Sequence, residues 1–141
     1  MDFWGKIVVI GAFLLTLCVT GTRSAGAQEG MEYDCGDARL YARYDSYNLR
    51  YFLGTLPTDV LICWDRWQDE EGNYGTTTQF GSRFEIDLSP SLKFTDRMRN
   101  LVLLHELAHL ATWRKEKNSH GDAFEDEMLR LANKGAFRGV W

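Results

Sequence analysis

Residues 105 to 109 read His105-Glu106-Leu107-Ala108-His109, two imidazoles four apart with a carboxylate next to the first. On an α-helix, residues four apart lie on one face about one turn from each other, so both rings can grip one metal ion. At about 100° per residue, His109 stands some 40° round the axis from His105, and Glu106 about 60° beyond His109. The Glu106 carboxylate therefore flanks the metal, in the position of a general base toward a metal-activated water.

A hydrolytic zinc centre takes three protein ligands and leaves one position open. The chain contains three histidines, and the remaining one, His120, follows His109 after ten intervening residues. The polar run Arg114-Lys115-Glu116-Lys117-Asn118-Ser119 between them can end a helix and turn the chain back. An HExxH string can also arise by chance on a polar helical face, and a lone histidine is more often a surface residue than a ligand. Here the string lies in the most apolar stretch of the chain, Leu101 to Ala111. Two histidines and a glutamate placed there need partners to offset desolvation, and a metal supplies one.

The elements that must position these groups follow from periodicity. From Thr95 or Asp96 to about Lys115 there is neither Gly nor Pro, which predicts a helix buried through its centre. After His120-Gly121, the apolar residues Ala123, Phe124, Met128, Leu129, Leu131 and Ala132 predict a helix over 122–134 with Gly135 as its stop. Upstream, Leu40, Tyr41, Tyr44, Tyr47, Tyr51 and Phe52 recur at helical spacing from Asp37 to about Leu53, with Asp34 or Asp37 as the cap. Residues 59–67 alternate as a strand in which Trp64 and Trp67 are structural. The polar turn 68–73, a second strand over 74–80 and a third over 83–88 complete the pattern. The expected fold is α+β: an N-terminal helix, a three-stranded mainly antiparallel sheet, the HExxH helix and a C-terminal helix, a zincin-like mini-peptidase.

Sixteen Lys and Arg against 20 Asp and Glu give 141 residues a formal charge of −4, enough chain for one domain. An acidic balance without a Lys/Arg run argues against a dedicated nucleic-acid binder, which needs clustered positive charge to displace counterions. Lys6, an uncharged run of 16 residues from Ile7 to Thr22, and the ending Ala25-Gly26-Ala27 read as a signal peptide over residues 1–27. The run is short of the roughly 20 residues that span a bilayer, so an uncleaved, membrane-tethering N-terminus is the second reading. Leu17 before Cys18 argues against lipidation of that cysteine. Cleavage leaves residues 28–141 with 14 basic and 19 acidic side chains, a net of −5, and with two cysteines, Cys35 and Cys63. In a secreted or periplasmic protein an even pair is expected to be bridged, closing a loop of 28 residues and stabilising by roughly 3 kcal/mol, the alternative being two buried thiols.

The sequence resembles the SprT-like family of zinc metallopeptidases. The resemblance is carried by His105-Glu106-Leu107-Ala108-His109 followed by His120-Gly121-Asp122-Ala123-Phe124. Weaker agreement runs through Asn48 to Pro57 and Ile86-Asp87-Leu88-Ser89, so that it covers most of residues 37 to 134. It implies Zn2+ held by His105, His109 and His120, with Glu106 polarising the attacking water. Some relatives cut proteins attached to DNA by means of further DNA-binding or zinc-ribbon segments, and no paired cysteines follow the motif here. The spacing departs from metzincins, with Thr112 at their glycine position and Lys115 at their third histidine.

The function expected from this reading is a secreted zinc metalloendopeptidase, taken as a monomer, acting on a peptide or protein substrate. A substrate strand would add to an edge strand, for which residues 83–88 are the candidate. Asp122, Glu125 and Asp126 are candidates to orient the imidazoles, or else form a solvated acidic face. The alternative is a secreted zinc-containing peptide-binding or interaction module without catalytic activity.

Overall fold

The computed structural model describes residues 33–115 and 117–139. The expected signal peptide over 1–27, including Cys18, lies outside the described residues. The elements in chain order are β1 (Tyr33–Asp34), α1 (Ala38–Phe52), β2 (Val60–Asp65), α2 (Arg66–Glu71), β3 (Gly75–Phe80), β4 (Arg83–Leu88), a 3-10 helix (Pro90–Phe94), α3 (Asp96–Thr112) and α4 (Asp122–Asn133).

The architecture is α+β, but the sheet differs from expectation. It has four strands in the order β1-β2-β4-β3, and it is mixed: β2 pairs with β4 in parallel, while β1 pairs with β2 and β3 with β4 antiparallel. The extra strand is two residues long, too short to show an alternation. The parallel pair arises because the chain leaves β2 through α2, runs out along β3 and returns as β4 between them. Residues 83–88 therefore form an internal strand, and the edge available for strand addition near the HExxH helix is β3. The residues expected as a polar turn are largely the helix α2, whose cap is the Asp65 side chain accepting from Trp67 N at 2.9 Å.

One face of the sheet carries Val60, Ile62, Trp64, Phe84, Ile86 and Leu88, all buried, against α1 and α3. Every residue of α3 from Leu101 to Leu110 is buried, so this helix is the axis of the core rather than an amphipathic cover. α1 is capped by Asp37, which resolves the choice between Asp34 and Asp37: its carboxylate accepts from Arg39 N at 3.0 Å and from Trp64 Nε1 at 3.1 Å. These donors and the Arg39 guanidinium hold the Asp37 carboxyl well below the usual range. The Tyr41 hydroxyl donates to Cys35 O and accepts from Ile62 N, both at 3.1 Å, tying α1 to β2 beside the Cys35–Cys63 disulfide.

Trp64 is 1% exposed and structural as expected, whereas Trp67, on α2, is 53% exposed and is not a core residue. On α4 the buried stripe is Phe124, Met128 and Leu131; Leu129 and Ala132 point outward. Gly135, at φ +75°, ends that helix as the sequence suggests, because a left-handed residue there costs least as glycine. Among the described residues no helix is long and apolar enough to cross a membrane.

Candidate metal centre

α3 presents His105 and His109 one turn apart, and His120, just before α4, lies opposite them. Nε2 of His105 lies 3.1 Å from Nε2 of His109 and 3.3 Å from Nε2 of His120. His105 and His109 are buried and His120 is half-buried. Phe124 packs against all three rings, stacked on His109 at 4.4 Å between centroids and at 4.8 Å from His105 and from His120. One aromatic side chain of α4 thus fixes the tilt of the whole set.

Tautomers alone do not satisfy this geometry. Nε2 of His105 has one proton or one lone pair, so it can serve His109 or His120 but not both. A cation that accepts three lone pairs at once resolves the conflict, and the three ring nitrogens form a compact group of possible metal donors. Burial and the neighbouring imidazoles push His105 far below its ordinary value, and burial takes His109 down to about 4 and lowers His120 as well. All three rings are therefore neutral near pH 7, the form in which a histidine binds a metal.

The Ser119 backbone hydrogen-bonds the His109 ring, so main chain next to His120 orients at least one of the imidazoles. Asp122, Glu125 and Asp126 are exposed on α4. Nδ1 of His105 is buried and has no hydrogen-bond partner among the described residues.

Glu106 is fully buried on the side of α3 that faces β3. The Thr77 hydroxyl donates to its Oε2 at 2.7 Å, while Oε1 is buried without a partner. Gly75 makes room for this carboxylate: a Cβ there would meet Val102 Cγ1 at 2.8 Å and Glu106 Oε1 at 3.1 Å. Burial pushes Glu106 up to about 8, against the opposing effect of the Thr77 hydrogen bond and with a smaller push from Asp87. Thr77 and Gly75 were read from sequence only as strand residues. The signal that could have found them is the register of β3, where Thr77 pairs with core-facing Ile86 and must point toward α3.

The SprT-like family model matches residues 40–138. The chain belongs to the SprT-like family. The match runs from the first turn of α1 past the end of α4, so α1, the β2–β4 sheet, the HExxH helix and the helix behind His120 form one family domain. A second grouping of possible donors, Cys63 with Glu85 and Asp87, lies on the outer face of the sheet. The sulfur of Cys63 is committed to the bridge with Cys35, which leaves an acidic pair in which burial, Glu85 and Asp65 push Asp87 up to about 7.

Proposed function

We propose that this SprT-like domain is an exported zinc peptidase in which His105, His109 and His120 hold the metal and Glu106 moves the proton. The observation that carries the reading is the convergence of three neutral imidazole nitrogens, two from α3 and one from the turn before α4, with a buried, hydroxyl-held carboxylate next to the first of them in α3. An all-imidazole set suits zinc, and the ion when bound supplies Lewis acidity toward an oxygen in the site.

The chain's own part is proton transfer and positioning. Glu106 accepts a proton from the attacking water at Oε1, the oxygen without a partner, while Thr77 holds Oε2. The water oxygen bonds to the scissile carbonyl carbon; the carbon–nitrogen bond then breaks, and Glu106 returns the proton to the leaving amine. Glu106 acts as the base from its ionised form, which a cation held by the neighbouring imidazoles would favour against the upward push of burial. The substrate backbone is proposed to lie along β3, the sheet edge whose Thr77 reaches Glu106. Export by a cleaved leader over residues 1–27 fits the disulfide between Cys35 and Cys63.

The test is metal analysis of the purified protein together with cleavage of a peptide library. About one zinc per chain is expected, with cleavage that stops on chelation and returns on adding zinc. Stoichiometric zinc with no cleavage of any peptide would instead favour a zinc-containing interaction module, and absence of bound metal would remove both readings.

A further inference from the structure

Eight of the described arginines of this acidic protein fall into two groups of four by place, with Arg66 and Arg114 in neither. Arg39, Arg83, Arg99 and Arg130 each pair with a carboxylate, of Asp37, Asp59, Asp96 and Glu127. Arg43, Arg50, Arg97 and Arg138 form no ion pair among the described residues, and all four line one cleft of about 310 Å³. They arrive from three separate elements: Arg43 and Arg50 from α1, Arg97 from the first turn of α3, and Arg138 from the segment after α4.

The cleft is built to hold these side chains. The Arg43 guanidinium lies over the Tyr47 ring at 5.7 Å and that of Arg50 over the Tyr51 ring at 5.3 Å, so both charged groups from α1 rest against aromatic faces. Arg138 folds back over Gly135, where even a Cβ would meet its Nε at 2.8 Å. Asp96, the carboxylate in the lining, is engaged by Arg99. Four like charges gathered around one hollow repel one another, in a chain that has carboxylates in excess to pair them with. An anion in the cleft removes that repulsion and is met by forked donors from several directions.

We infer that the cleft between α1, the start of α3 and the segment after α4 is a binding site for a tetrahedral oxyanion, the phosphate or sulfate group of a small ester. Its volume suits one such group with a small substituent, and four guanidinium groups arriving from three elements can engage the three oxygens of a phosphate or sulfate group where a carboxylate offers only two. The site is distinct from the metal centre: Arg97 and His105 are eight residues apart on α3, about 12 Å of helix rise. It therefore stands whether or not the domain cleaves peptides.

The experiment is calorimetric titration of the purified protein with pyrophosphate, inorganic phosphate and inorganic sulfate at constant ionic strength, with acetate as the control. Saturable binding of a tetrahedral anion with Kd below about 1 mM is expected, and acetate should not saturate. Preference for pyrophosphate and phosphate assigns a phosphate ester, and preference for sulfate assigns a sulfate ester. Arg97→Gln combined with Arg138→Gln should weaken binding at least about tenfold, while Arg83→Gln, in the paired group, should leave it unchanged. Amide NMR shifts on adding the anion, which need no variant, should concentrate at Tyr47, Asn100 and Gly139. No saturation up to about 10 mM, or shifts spread evenly over all exposed cations, would overturn the proposal.

Discussion

The Thr77 hydroxyl, on the edge strand β3, donates to Oε2 of Glu106, on the central helix α3, at 2.7 Å. It is the contact that links the sheet edge to the carboxylate of the HExxH motif. Removing the hydroxyl while keeping the shape, by Thr77→Val, should leave metal content unchanged and lower kcat about tenfold with little effect on KM. Thr77→Ser should restore most of the rate. Steady-state kinetics on one cleavable peptide checks this, and a Val variant as fast as the parent would remove Thr77 from the positioning of Glu106.

Gly75 is held to glycine by space. A Cβ at that position would press on Val102, Leu88 and Glu106 together, at 2.8, 3.1 and 3.1 Å. Gly75→Ala is expected to lower the unfolding free energy by about 1–3 kcal/mol, the usual range for overpacking a filled core. Urea unfolding followed by tryptophan fluorescence measures it; a neutral substitution would mean that β3 moves away from α3 at little cost.

Acid should release the metal late. A free histidine titrates near 6.5, whereas His109 is lowered to about 4 and His105 further, so protons compete for these nitrogens only well below 6.5. Metal content after dialysis should hold at pH 6 and fall as pH approaches 4. In the metal-free protein the same lowered values mean that the unfolded chain takes up protons first. Their contribution to stability is therefore complete above about 6.5 and drains away as pH falls toward 4. Release centred on pH 6.5 would show that the rings are not buried in solution.

The Cys35–Cys63 bridge joins the segment before α1 to the middle of β2 and closes a 28-residue loop. Cys35→Ser with Cys63→Ser should lower the unfolding free energy by roughly 3 kcal/mol, and reductant should do the same to the parent protein. Equal urea midpoints with and without reductant would show that the bridge adds nothing to stability.

How much of this was legible in the sequence depends on the range of the interaction. The HExxH helix was legible because an unbroken apolar run around two histidines and a glutamate has no other economical solution, and His120 because no further histidine remained. α1 was legible from the spacing of Leu40, Tyr44 and Tyr51, which the structure buries. Strand order was not, since alternation identifies a strand without naming its neighbour. Residues 83–88 alternate cleanly and still lie inside the sheet, where β2 and β3 flank them. The outward Trp67 followed from the same gap: a tryptophan next to a strand reads as core until α2 turns it away. Thr77 and Gly75 needed the register of β3, and the arginine cleft needed the docking of three elements far apart in the chain.

The most direct test of the central claim is Glu106→Gln. The amide keeps the size of the side chain and leaves His105, His109 and His120 untouched, so the protein should still carry about one zinc per chain. Peptide cleavage should fall by a factor of about 100 or more, because the amide cannot take up the proton from water. A metal-loaded Gln variant that cleaves as fast as the parent would contradict the account.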